Sequence, residues 1–479
     1  MAAPSSAHIL SLPAEIIDIL CQQFCPCCSK RAFPRDFFVE RKPKEAQDRD
    51  CLSALSLTCK ELRRISQPHL YHRPIGCDFF GFIDTIGQAP ALGQHVKELC
   101  LSSAAIRRFV DQYDDPMELF AKCDERYRTY LPDAAQRNPM VPIRRLRNAA
   151  RYLGNFTGNG EIAIDCLLSV VISFKPNINE LDICVQTDLT FWPIPSGYLP
   201  NLRNLVINVS ERFPANDLDS LTGLLGTAPQ LESLDLARLD LREAMKDSEM
   251  GFCHDNVIEI ILRSSAIHTS RLEAIMRGFS KLQTFRFGAP EYWDGLPYSR
   301  PRTGVLYKIE DILMLRSDTL KHVILDFPGR SIDGDLVIQD LSGMKVLETL
   351  YVDSGILRRR WQQGREPARR IFQMLPESIK EFGLMGTVDP RALLQTDLQA
   401  HRRAQRQVHD EVMESVNISA RAFPLLRKVV IADFGGSFQA DGDEWKGKFA
   451  SACEACDIEF SSKVPQSSVY LTYSGTYRG

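Results

Sequence analysis

A short motif, apolar-x-x-apolar-x-apolar, recurs from the middle of this chain toward its C-terminus and limits the folds open to it. Its copies are Leu202–Leu205–Ile207, Leu231–Leu234–Leu236, Leu320–Val323–Leu325, Leu347–Leu350–Val352, Ile379–Phe382–Leu384 and Leu426–Val429–Ile431. The last two apolar positions are two apart and so share one face of a strand. The first sits where the chain turns into that strand. A unit of this kind cannot bury its apolar edge alone, so it must stack on copies of itself as a solenoid.

The spacing of the first motif residue measures the regularity of the array. Ile178 to Leu202 is 24 residues, Leu202 to Leu231 is 29, Leu231 to Leu282 is 51 and Leu282 to Leu320 is 38. Leu320 to Leu347 is 27, followed by 32 to Ile379 and 47 to Leu426. Leucine-rich repeats run about 20–29 residues, so the longer intervals predict segments that leave the stack. Pro200, Pro229, Pro376 and Pro424 precede strands, where proline ends the preceding helix. Val96–Leu99–Leu101 is the first predicted strand. Helices are expected over 109–130, 144–153 and 162–174.

Bulk properties exclude several function classes. In 479 residues the hydrophobic fraction is 44% and the charged fraction 25%, with net charge −3. That composition belongs to a globular protein, and the charge gives no pull toward nucleic acid or anionic membrane. The N-terminus lacks a basic n-region and a long apolar run, so no secretory signal is read there. No stretch reaches the roughly 18 apolar residues of a membrane span. Fourteen cysteines in a chain of this length are read as reduced thiols in cytoplasm or nucleus.

Residues 8–74 differ from the repeats. Leu12-Pro13 opens a helical pattern through Ile16, Ile17, Ile19, Leu20 and Phe24, with Ser11 as the expected N-cap and Glu15 in the first turn. A polar, cysteine-dotted stretch from Cys25 to Asp50 interrupts. Helical spacing resumes at Leu52, Leu55, Leu57, Leu62 and Ile65, and Pro68 is expected to end it.

LPAEIIDIL followed by CLSALSLTCKELRRISQPHLYHRP resembles an F-box. The match rests on Leu12, Pro13, Ile16, Ile19 and Leu20 in the first helix. In the later helices it rests on Leu52, Leu55, Leu57, Cys59, Lys60, Leu62 and Arg63. The ending PHLYHRP is similar to that of filamentous-fungal F-box proteins. The resemblance covers about one seventh of the chain and, with the array behind it, looks like the F-box/leucine-rich-repeat class. One departure is the inserted segment Cys25 to Asp50, either a tolerated surface loop or a change that weakens docking.

The resemblance implies a substrate receptor of an SCF-type cullin–RING ubiquitin ligase. The F-box would dock a Skp-type adaptor, and through it a cullin, using Leu12, Pro13, Ile16, Ile19, Leu20, Leu52, Leu55, Leu57, Cys59 and Leu62. The repeats would hold a protein substrate near the ubiquitin-carrying enzyme, so that catalysis comes from proximity and no residue of this chain reacts. A leucine-rich scaffold outside any ligase is the alternative. A metal- or redox-linked enzyme using the cysteine cluster is a third reading.

Other constellations carry less. Cys21, Cys25, Cys27 and Cys28 cluster without a second cysteine pair at zinc-finger spacing, although His8 and Cys51 are near in sequence. The nine histidines are read as scattered, with none paired at ligand spacing. No metal and no cofactor is therefore expected, and the cluster is taken as a reduced loop. Cys453 and Cys456 end a helix and are read as packing. The aromatic loop with Tyr292, Trp293 and Tyr298 is a candidate substrate anchor. The basic run with Arg358, Arg359, Arg360 and Trp361 is another, suited to an acidic or phosphorylated segment, with a solvated loop as its plain alternative. No hydrolase, metalloprotease or nucleotide-binding signature is present.

The expected architecture is α/β. A helical F-box-like domain at 8–74, with an insertion at 25–50, precedes an irregular leucine-rich-repeat solenoid at 79–462. The solenoid would have parallel strands on one face and helices on the other, and a tail follows at 463–479. Neither nucleic acid nor membrane is an expected partner.

Overall fold

Each copy of the motif forms a short strand. In the computed structural model the described residues are 9–29, 43–74, 79–101, 116–137, 171–172, 174, 177–185, 197–209, 225–241, 253–289, 309–327, 338, 340–353, 374–385, 423–431 and 439–462. The chain divides into two compact units, Met1–Phe213 with Asp219–Leu231, and Pro214–Leu218 with Glu232–Gly479.

In the first unit, helices α1 (Ala14–Phe24), α2 (Pro43–Thr58) and α3 (Lys60–His72) form the N-terminal block. Helices α4 (Phe79–Gln88) and α5 (Pro90–Gly93) follow, then strand β1 (Glu98–Leu101) and helix α6 (Pro116–Arg137). Strands β2 (Glu180–Val185) and β3 (Asn204–Val209) pair in parallel in the order β1-β2-β3, with Leu99 opposite Leu181 and Leu181 opposite Leu205. Asp84 of α4 receives Arg126 of α6 (Nη2 to Oδ2, 2.9 Å), and the Arg126 guanidinium lies 4.2 Å from the Phe80 ring centre.

The second unit carries β4 (Ser233–Ala237), β6 (Glu259–Arg263), β8 (Thr284–Gly288), β9 (His322–Asp326), β10 (Thr349–Asp353), β11 (Glu381–Met385), β12 (Lys428–Ile431) and β13 (Glu459–Ser461). They lie side by side in that order, and each neighbouring pair is parallel. A two-stranded side sheet joins β5 (Asp240–Leu241) to β7 (Ala266–Ile267). Parallel strands need crossovers. Helices α7 (Thr269–Gly278), α8 (Ile309–Met314) and α9 (Gln439–Glu454) lie in three of them.

The stacking is translational. The carbonyl just before one strand accepts two backbone N–H groups from the start of the next. Glu232 O takes Ile258 N and Glu259 N, Ile258 O takes Gln283 N and Thr284 N, and Gln283 O takes Lys321 N and His322 N. Lys321, Glu348 and Lys380 continue the pattern. The motif residues Leu231, Leu282, Leu320, Leu347 and Ile379 are fully buried, as are the inward strand residues Phe285, Val323, Leu325 and Val429. The α/β architecture with parallel strands is thus the one the motif predicts.

The 51-residue interval is corrected. Strand β6 lies inside it, led by Val257–Ile260–Leu262, all buried. The interval therefore divides into two repeats of 26 (257 − 231) and 25 (282 − 257) residues, ordinary lengths for the array. The motif hides there because VIEIILR is nearly continuous in apolar residues.

Three further expectations change in the N-terminal block. Ser11 does not cap α1: a turn of 3-10 helix spans Ile9–Ser11, and Pro13 occupies the cap position without a side-chain hydrogen bond. Helix α2 begins at Pro43, so the interruption is shorter than Cys25 to Asp50. Pro68 does not end α3, which runs to His72. Pro68 removes the bond to the Arg64 carbonyl. Arg64 is exposed, so solvent can replace it, and the last turn is held because Lys97 N donates to His72 O at 3.0 Å. The break between α2 and α3 falls at Cys59, which is extended and whose sulfur accepts from Leu62 N.

The aromatic loop, the basic run, residues 463–479 and the expected helix at 144–153 lie outside the described residues. Among the described residues, no helix is long and apolar enough to cross a membrane.

Candidate functional site

The N-terminal block holds the candidate site, because its three helices turn chemistry both inward and outward. On α3 the buried residues Leu62, Ile65, Ser66, His69 and His72 recur at helical spacing. Of these, Leu62 and Ile65 meet Ile17, Cys21 and Cys25 from α1 and its C-cap, and Leu52 from α2. Among the described residues six buried apolar side chains form this core, little for a block of this size.

Helix α1 is apolar on two sides. Ile17 and Cys21 face the core. Ile16, Ile19 and Leu20, at i, i+3 and i+4, share the opposite side and are exposed, Ile16 by 43% and Ile19 by 50%, and Leu12, two residues before the helix, is exposed as well. Pro13 is exposed beside them, and Leu57 near the end of α2 is 73% exposed. The expected adaptor-binding set therefore separates. Leu12, Pro13, Ile16, Ile19, Leu20 and Leu57 are open to a partner. Leu52 and Leu62 lie inside the block's own core, and Leu55 and Cys59 pack half-buried on it. Arg63 has a structural task, its Nε donating to Ser56 O at 3.0 Å across the α2–α3 break.

The inward side brings together four residues that were not grouped from the sequence. Cys25 and Cys28 stand at the end of α1, and His69 and His72 occupy the last turn of α3. One donor atom from each, two Sγ and two ring nitrogens, lie within 4.8 Å of one another. Cys28 Sγ is 3.2 Å from His72 Nδ1 and 3.7 Å from His69 Nδ1, and Cys25 Sγ is 3.5 Å from His72 Nδ1. Cys25, His69 and His72 are buried and Cys28 is half-buried. The other ring nitrogen of His69, Nε2, lies 2.8 Å from Asp18 Oδ1, and Asp18 also accepts from Gln22 Nε2 at 2.7 Å.

The electrostatics follow this packing. Hydrogen bonds hold the Cys25 thiol well below its ordinary value, first from Cys27 and then, against burial, from His69 and His72. Burial pushes Cys28 up to about 12, helped by the charge on Cys25. The His69 bond lowers Asp18. For His69, burial opposes protonation, but its bonds to Cys25 and Asp18 prevail and raise it.

The expectation of unpaired histidines is thereby corrected. His69-x-x-His72 is an i, i+3 pair on one helix face, and Cys25-x-x-Cys28 is its counterpart. Both spacings were readable. Forty residues separate Cys28 from the start of α3's last turn, and the apparent helix stop at Pro68 hid the common face. His8 is outside the described residues, and Cys51 is not in the set.

In the second unit the outward side of the strands is a ladder of cross-strand polar pairs. Arg263 Nε meets Asp235 Oδ1 at 2.7 Å, Arg286 meets Glu259 at 3.2 Å, and Lys428 meets Glu381 at 3.1 Å. Tyr351, Met385 and Val430 bury themselves beside it. Cys453 is buried at the end of α9 as packing requires, and burial pushes its thiol up to about 12. The proposed substrate anchors Tyr292, Trp293, Tyr298, Arg358, Arg359, Arg360 and Trp361 lie outside the described residues.

A scan against known family models finds no match to this chain, and a search of curated proteins finds none either.

Proposed function

We propose that this chain is a substrate receptor of an SCF-type ubiquitin ligase, whose N-terminal block docks a Skp-type adaptor while the stacked strands hold a protein substrate. The observation that carries the reading is the exposed apolar side of α1, Ile16, Ile19 and Leu20, with Leu12 exposed just before it, on the helix whose sequence resembles an F-box. A row of large apolar side chains left in water by a block with a small core of its own suits a protein partner. The parallel strand array that follows it in the sequence fits a leucine-rich-repeat solenoid, an extended surface for a second protein. Such a chain needs no reacting residue, since the assembly supplies proximity.

Affinity capture from cells with the proteasome blocked tests this. The reading expects the Skp-type adaptor and a cullin in the captured material, with a further protein that accumulates under the block. Capture without the adaptor sinks it. Adaptor capture with no protein stabilised by the block instead favours a scaffold that does not deliver substrates.

A further inference from the structure

We propose that Cys25, Cys28, His69 and His72 bind a structural zinc ion that clips the end of α1 to the end of α3. A tetrahedral zinc site with metal–ligand bonds of about 2.0–2.3 Å has ligand–ligand edges of about 3.3–3.8 Å. Of the six donor–donor separations, the sulfur–nitrogen distances of 3.5 and 3.7 Å fall in that range, the one of 3.2 Å lies just below it, and all six are within 4.8 Å. Two thiolates and two imidazoles are a donor set that selects zinc over the oxygen-seeking cations.

The surroundings are those of a built site. Three of the four ligands are buried. His69 directs Nδ1 at the sulfurs and presents Nε2 to Asp18 at 2.8 Å. That carboxylate–imidazole arrangement fixes the tautomer and raises the basicity of a metal-binding histidine. The ligands come as two pairs, each three residues apart, one on either side of the segment joining α1 to α2. Ordinary packing of two cysteines and two histidines does not require all four donor atoms to converge.

The site is closed. Four protein ligands complete a tetrahedron and leave no position for a substrate or an activated water, so the ion is structural and not catalytic. Its task follows from the small core of the block. Metal binding supplies folding free energy where apolar burial is short, and the clip joins the helix bearing the exposed apolar side to the helix that packs beneath it. Binding releases whatever protons the thiols and imidazoles carry, with no change of oxidation state. The inference stands apart from adaptor docking, because metal content is measured without the adaptor.

The full-length chain, purified under reducing conditions and exchanged into metal-free buffer, is analysed for zinc. One ion per chain is expected. Cobalt exchanged into the site should give the intense visible absorption of a tetrahedral ion with a thiolate charge-transfer band. Cys28→Ser and His72→Ala should each lose the metal, while Cys21→Ser and Cys27→Ser keep it. Because ligand variants can unfold, the wild-type chain decides the matter by itself. Zinc well below one per chain after incubation with excess zinc, or a weakly absorbing octahedral cobalt spectrum, overturns the inference. Loss of metal from Cys27→Ser with retention in Cys28→Ser overturns this choice of ligands.

Discussion

His69 Nε2 lies 2.8 Å from Asp18 Oδ1, which joins the last turn of α3 to the middle of α1. Asp18 is partly exposed while His69 is buried, so the carboxylate reaches inward from the rim of the block. As an outer partner of a metal-binding histidine it orients the ring, and loss of such a partner weakens metal by about 10–100-fold. Asp18→Asn keeps the shape and an acceptor oxygen but removes the charge. Competition against a chromophoric chelator should show zinc held about 10–100-fold less tightly, with one ion still bound at saturation. Unchanged affinity would assign the bond a packing role alone.

Removing the metal should act on the first unit. With the ion extracted by a strong chelator, the N-terminal block should unfold at lower temperature, and zinc should restore it. Hydrogen exchange would place the change in 14–24 and 60–72, leaving β9 to β12 protected. Equal protection of α1 and α3 with and without chelator contradicts the clip.

Gly383 has a specific reason to be glycine. A Cβ there would come within 2.1 Å of Tyr351 Cδ1, because the Tyr351 ring lies over its register partner on β11. The ring cannot swing away freely, since Tyr351 is buried and its hydroxyl donates to Glu381 Oε1 at 2.5 Å. Gly383→Ala should cost about 1–3 kcal/mol through overpacking, measurable as a lower denaturant midpoint with the slope unchanged. A midpoint equal to wild type would mean the ring relocates without strain.

His322 gives the second unit a pH dependence. Burial lowers its pKa, and Lys321 and Arg286 add to this against Glu348 and Glu381. Its Nδ1 lies 3.1 Å from Thr349 Oγ1. The unfolded chain thus takes up the proton more readily than the folded one. This contribution is complete above the unfolded value of about 6.5 and declines as pH falls below it. Denaturant midpoints at pH 7.5 and 5.5 should differ less in His322→Gln than in wild type. An equal difference would move the effect to other groups.

The strands were largely legible because the period of two and the leading apolar residue both survive in the sequence, as in Leu347–Leu350–Val352. Strand β6 was missed where polar residues no longer punctuate the pattern. The apolar side of α1 was legible as well, since Ile16, Ile19 and Leu20 repeat at helical spacing. Sequence could not separate Leu52 and Leu62 from Leu57, because helical spacing leaves open whether a face meets its own block or a partner. The four-residue cluster needed the chain to bring Cys25-x-x-Cys28 and His69-x-x-His72 together. That contact depends on α3 continuing through Pro68, where local proline rules predict a stop.

The most direct test of the central claim is titration of the purified chain against purified Skp-type adaptor by calorimetry. Burying one isoleucine contributes about 1.5–3 kcal/mol, and aspartate in its place adds a desolvation cost. Wild type should bind saturably at one to one, and Ile16→Asp and Ile19→Asp at least about tenfold more weakly. Leu425→Asp, at an exposed position of the second unit, should bind as wild type does. No binding by the wild-type chain, or equal binding by Ile16→Asp and Ile19→Asp, would contradict it.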